Sequence, residues 1–224
     1  MRSAKACRPA PPPINLVVRC PRTSRMNLAD FHAIRGMEIY GRVIEKRSKL
    51  LSDFLREHGL ADPKSVEYRP LSGSDMANCF RNVEAQVQRA RGRMETGWVF
   101  VELVDVSIHT VAHAIWITPQ GRRMDITPWS YKPDRRVMFL PDERVAIKRG
   151  YTAGCRTVFT SDARIRAMEL FDGELDKIFD EFFVGMGQYY DIPNSRFFEA
   201  AERLGLPWEV ARERVTQRLR NFGH

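Results

Sequence analysis

The 224-residue chain is 43% hydrophobic and 29% charged, a balance that supplies a real apolar core and excludes both general disorder and a small disulfide scaffold. No stretch reaches the roughly 18 uncharged apolar residues of a membrane helix; the longest apolar runs, residues 97–101 and 111–117, are strand-sized. The formal charge of +8 points towards nucleic acid, but Arg2, Lys5, Arg8, Arg19, Arg22 and Arg25 all precede Met26 in a segment without Asp or Glu, so the rest of the chain is close to neutral and a nucleic-acid partner is not expected.

Residues 1–25 form a basic, Pro-rich extension. It lacks the apolar run of a secretory signal, and Pro11, Pro12 and Pro13 break the amphipathic helix that an organelle transit peptide needs. It reads as a disordered tail, or as sequence upstream of a start at Met26. Residues 27–58 carry apolar positions three and four apart, among them Phe31, Ile34, Val43, Ile44, Leu51, Phe54 and Leu55, and predict one or two helices closed by Gly59 and Asp62-Pro63. Residues 65–78 are turn-rich, and a second helix is expected from Cys79 to Arg91 before Gly92. Residues 97–148 turn to strand character: GWVFVEL, then TVAHAIWIT, a Pro119-Gln120-Gly121 turn and RRMDIT, with VMFL and RVAIK as short edge strands. From Ser161 onward the chain is helical again, with a Ser/Asp cap and further helices at residues 195–204 and 208–220. Helices, then an antiparallel sheet, then helices predict an α+β fold.

Three residues stand out. Cys79 falls at the start of a helix after a Ser/Gly-rich loop, where the helix dipole favours the nucleophilic thiolate. His113 lies in HAIWIT and Asp125 in the next strand, so across the hairpin the carboxylate can orient and charge-stabilise the imidazole. Cys, His and Asp in that order, nucleophile on a helix and partners on adjacent strands, suit a cysteine acyl-transfer site. The cysteines at 7, 20, 79 and 155 form no CxxC pair or metal-ligand spacing, and no metal or other cofactor is expected. His109 and His113 share a strand face but stand about 13 Å apart, too far for one zinc. The backbone N–H of Cys79 is one oxyanion donor, with Asn78 and Asn82 as the nearest side-chain amides and Trp98 as a candidate wall of a substrate cleft. Asn78 also suits a plain helix N-cap, and Trp98 and Trp129 also suit simple packing.

The stretch HAIWITPQGRRMDITP resembles the His and Asp segment of the transglutaminase-like branch of the papain-like cysteine-enzyme superfamily. The spacing is similar too, with Cys79 34 residues before His113 and Asp125 12 after it, and the resemblance covers residues 76–128. NCFRNV is faintly similar to the nucleophile helix of arylamine N-acetyltransferases, without their Arg-Gly-Gly lead-in. The resemblance implies a papain-like fold, with the nucleophile helix packed on an antiparallel sheet in a catalytic core at 26–150 and a helical extension at 151–224 packed on that core. It implies a cysteine hydrolase or acyltransferase of protease, amidase or transglutaminase type, with a Cys79, His113, Asp125 catalytic triad acting on a protein, peptide or small amide.

Two other classes stay open. One is a non-catalytic papain-like module that binds a protein or peptide. The other is a DNA reader built from the last two helices, where Arg212, Arg214, Arg218 and Arg220 follow Gly205-Leu206-Pro207. Glu199, Glu202, Glu209 and Glu213 interleave with those arginines, the pattern of a solvated, salt-laced face. These helices suit a cap or a homo-oligomer contact better than a DNA reader. With no export signal, the thiols are expected reduced and the protein cytoplasmic and off the membrane.

Overall fold

A computed structural model describes residues 40–76, 78–147, 152–185, 188–189 and 192–222. The basic extension, Cys7, Cys20 and the predicted helical stretch up to residue 39 lie outside these residues. Helix α1 (Lys49–Glu57) is shorter than the expected helical span. Its start is set by Ser48, whose hydroxyl accepts from the Leu51 N–H at 3.1 Å, a cap worth about 1 kcal/mol. Leu51, Phe54 and Leu55 face inward at the expected spacing, each burial contributing about 1.5–3 kcal/mol. Gly59 ends it at a φ of +62°, a conformation that favours glycine. Residues 41–43, expected to be helical, instead form strand β1 (Gly41–Val43), because its alternating burial matches a neighbouring strand better than a helix face. The turn-rich segment likewise begins as strand β2 (Lys64–Tyr68), with Val66 and Tyr68 buried.

The sheet is organised by one long hairpin, β3 (Arg93–Leu103) and β4 (Ser107–Ile117), in register from Arg93↔Ile117 to Leu103↔Ser107. Strands β5 (Arg123–Asp125) and β6 (Arg136–Pro141) complete a closed ring in the order β3, β6, β2, β5, β4 and back to β3. The expected antiparallel sheet is therefore a five-stranded barrel with one parallel pair, β2 with β5. Strand β6, expected at an edge, is central: it joins β2 to β3. Close approach makes this possible at Gly97, where an added Cβ would stand 2.1 Å from the Leu140 carbonyl oxygen. RVAIK is not a strand; its first four residues form the helical turn α3 (Arg144–Ile147). Beyond the barrel the same hairpin carries β1 on one side and β7 (Arg156–Val158) on the other.

Side-chain alternation sorts the core into layers. Val66, Tyr68, Val99, Val101, Ile115, Val137 and Phe139 form one cluster inside the ring. Trp98, Phe100, Ile108, Met138 and Leu140 point the other way, under α1. Helix α2 (Cys79–Ala90) packs through Cys79 and Val83 on Ala114, Trp116, Met124 and Ile126. The C-terminal helices α4 (Ala163–Phe182), α5 (Asn194–Arg203) and α6 (Trp208–Phe222) share a cluster of their own with Val106 at the hairpin turn. Asp162 caps α4 through the N–H groups of Arg164 and Ile165. Between α4 and α5 lies a small hairpin, β8 (Phe183–Gly185) with β9 (Gln188–Tyr189). The fold is thus α+β, and among the described residues no helix is long and apolar enough to cross a membrane.

Candidate active site

Strand pairing brings His113 and Asp125 together. The register Trp116↔Met124 and Ile117↔Arg123 makes Asp125 a diagonal neighbour of His113 on the same face, and His113 Nε2 lies 2.9 Å from Asp125 Oδ1. Asp125 has two further partners. Its Oδ1 also accepts from the Thr127 N–H at 3.1 Å, and its Oδ2 accepts from the Trp129 indole N–H at 2.7 Å. The first of these is an Asx-turn bond, so the local capping role open to Asp125 and its contact with His113 coexist. Trp129 also lies over the imidazole, with ring centroids 4.8 Å apart.

Helix α2 delivers Cys79 to the other side of the same ring. Burial by itself pushes the His113 pKa down, but the Asp125 charge, the Cys79 side chain and its hydrogen bonds to both raise it to about 10. At neutral pH the ring is therefore an imidazolium. Since Asp125 holds Nε2, the nitrogen left for the sulfur is Nδ1. The group is well enclosed: Cys79 is 7%, His113 3% and Asp125 0% exposed. In the barrel interior Tyr68, opposite Asp125 in the β2–β5 pair, has its phenol pKa pushed up, first by burial.

The other sequence candidates separate. Asn78 is the N-cap of α2, but its side chain makes no capping bond; its carbonyl accepts from the Asn82 N–H at 2.9 Å. It stays beside Cys79 with its amide free of that duty. Asn82 does not fit an oxyanion donor, because its hydrogen bonds are already engaged. Its Oδ1 accepts from the Asp75 N–H at 3.0 Å, and its Nδ2 donates to the Asp75 carbonyl at 2.7 Å and to Thr127 Oγ1 at 3.2 Å. Asn82 thereby ties the loop before α2 to the segment after β5, and so orients the elements that carry Cys79 and Asp125. Trp98 is not at this site: it points to the opposite sheet face from the barrel interior, under α1, and donates its indole N–H to Asp142 Oδ2 at 2.8 Å.

The indole that does belong to the site is Trp129, and its signal was the position four residues after Asp125, just past Thr127-Pro128. Among the described residues no group of three or more His, Cys, Asp or Glu side chains could hold a metal ion. Of the arginines on the last helices, Arg203 pairs with Glu174, Arg214 with Asp172 and Arg218 with Asp176, all carboxylates of α4. Against known protein families, curated proteins and solved structures, the chain gives no match.

Proposed function

We propose that the protein is a cysteine-dependent acyl-transfer or amide-hydrolysing enzyme with a papain-like, transglutaminase-like core. The observation that carries the reading is the buried chain from Cys79 through the His113 imidazolium to Asp125. A nucleophile helix packed against a β-barrel, with Cys, His and Asp in that order, supports the fold reading. In the first half-reaction the Cys79 thiolate attacks an acyl carbonyl, and His113 gives its proton to the departing amine as the thioester forms. In the second half-reaction His113 takes a proton from water or an acceptor nucleophile. That nucleophile attacks the thioester, the acyl product leaves, and the thiolate–imidazolium pair is restored. Asp125 holds the ring's orientation and charge through both halves. The Cys79 backbone N–H, which has no helical acceptor at the first position of α2, and the Asn78 amide are the oxyanion donors. The triad sets the mechanism and leaves open a protein, peptide or small-amide substrate.

An activated acyl ester tests this without a known substrate. Intact-mass analysis is expected to find one acyl group on Cys79 that hydrolyses over time, and none on that residue in His113→Ala. The low exposure of Cys79 and His113 favours a second reading, a non-catalytic peptide-binding module with a polar pair locked in its core. Failure of Cys79 to acylate in the folded protein would select that module.

A further inference from the structure

A second polar site lies where the barrel hairpin meets the C-terminal helices. A cavity of about 180 Å³ opens there between β4, β7, α4 and α6, with His109, Thr152, Arg156, Asp176, Asp180 and Arg218 in its wall. On β4, β7 and the segment before β7, the atoms His109 Nδ1, Arg156 Nε and Thr152 Oγ1 are buried without a hydrogen-bond partner. Buried polar groups in native proteins are nearly always satisfied, and each exception asks for a ligand, an ion or another reason. Three around one cavity ask for a single one.

Arg156 indicates its chemistry. Its Nη1 is bonded to Glu169, whereas Nη2 stands 3.6 Å from Asp176, beyond hydrogen-bond distance, and Nε is unpartnered. The Nε–Nη2 edge is the one on which a guanidinium grips two oxygens of a carboxylate or phosphate. Across the cavity stands a second guanidinium, Arg218. We infer that this cavity binds a small oxyanion, a phosphate or carboxylate group held on the open edge of Arg156 with Thr152 and His109 completing its contacts. The His109 ring supports this: burial first, then Arg156 and Arg218, push its pKa down to about 3. The ring is neutral and able to offer an N–H. The volume left around a single phosphate has room for the body of a small organic acid or phosphate ester. The site is independent of the Cys79 chemistry.

Thermal unfolding of the full chain, titrated with inorganic phosphate and separately with acetate against sodium chloride at matched ionic strength, tests the assignment. At least one oxyanion is expected to raise Tm with an apparent Kd of about 1 mM or tighter. Stabilisation by phosphate alone identifies a phosphate site, and by acetate alone a carboxylate site. Arg156→Lys keeps the charge but loses the fork, and is expected to weaken binding about tenfold or more. If that variant does not fold, Thr152→Val, which removes only a hydroxyl, decides the matter by a several-fold loss. No stabilisation by either anion, or wild-type affinity in the deciding variant, overturns the proposal.

Discussion

Two carboxylates in this molecule are built alike and face different partners. Asp125 accepts the N–H two residues on at Oδ1 and the Trp129 indole at Oδ2; Asp142 accepts the Arg144 N–H two residues on at Oδ1 and the Trp98 indole at Oδ2. The third partner differs. Asp125, fully buried, meets the imidazole of His113, while Asp142 lies nearer the surface and grips the exposed guanidinium of Arg144. The Arg144 hydrogen bond, opposed by some desolvation, holds the Asp142 pKa at about 2, which makes it a permanent anion tying α3 to β3. The buried carboxylate instead lends its charge to a titratable ring beside a thiol. Turn chemistry and an indole are common to both carboxylates; the buried imidazole of His113 is what sets Asp125 apart.

Isosteric amides break this comparison most sharply. Asp125→Asn is expected to keep the fold, to lower the rate of Cys79 alkylation at pH 6.5 by up to about a hundredfold, since a free thiol is about 1% thiolate there, and to lower turnover by about four orders of magnitude, as loss of a triad carboxylate does. Asp142→Asn should leave both rates alone and cost about 1 kcal/mol in a melting experiment. Equal effects of the two on alkylation would show that Asp125 is only a turn cap. The cysteines provide the next contrast. Burial raises the Cys155 pKa, partly offset by Arg144, whereas Cys79 sits beside an imidazolium. Iodoacetamide at pH 6.5 is expected to modify Cys79 about tenfold or more faster than Cys155, a preference that His113→Ala abolishes. Slow labelling of both at one rate would remove the activated thiol.

The indoles sharpen it further. Trp129→Phe keeps a ring over His113 but removes the N–H from Asp125, and should slow Cys79 alkylation about tenfold. Trp98→Phe should lower Tm by a few degrees and leave alkylation unchanged. The last contrast is a slope. The folded-state pKa of His113 is raised from 6.5 to about 10, so its stabilising contribution is complete below about pH 6.5 and is lost as pH rises towards 10. Wild-type Tm should fall across that window more steeply than that of His113→Gln, and parallel curves would show that the ring is not held as a cation.

The site was more legible in the sequence than the fold around it. A strand His, a Gly turn and Asp-Ile-Thr-Pro placed His113 and Asp125 together because strand alternation and a tight hairpin leave few other arrangements. The loop-to-helix transition likewise marked Cys79. Closure of the barrel was not legible, since the parallel β2–β5 contact joins segments some sixty residues apart and each is too short to show a period. Val43 and Ile44 matched a helical stripe, yet the edge of β3 claimed Gly41–Val43 as a strand. The competing roles of Asn82 and Trp98 were invisible for another reason: which hydrogen bonds an amide or indole uses depends on partners such as Asp75 and Asp142, brought near only by the completed fold.

The three-residue strand β5 has a consequence for the order of assembly. It carries Asp125, and it is also the member through which the ring closes, parallel to β2 on one side and antiparallel to β4 on the other. The β3–β4 hairpin is local and can zip early, but the β2–β5 pairing must first bring distant segments together at a cost in loop entropy. Before that step His113 can already meet its carboxylate across the local β4–β5 turn, but the ring that buries the pair and strengthens its electrostatic coupling is still open. During refolding, thiol reactivity at Cys79 should therefore appear late, together with the last protected amides of the ring and after most of the far-ultraviolet signal has returned. An intermediate with its sheet largely formed but its ring still open does not yet enclose Cys79, His113 and Asp125 together.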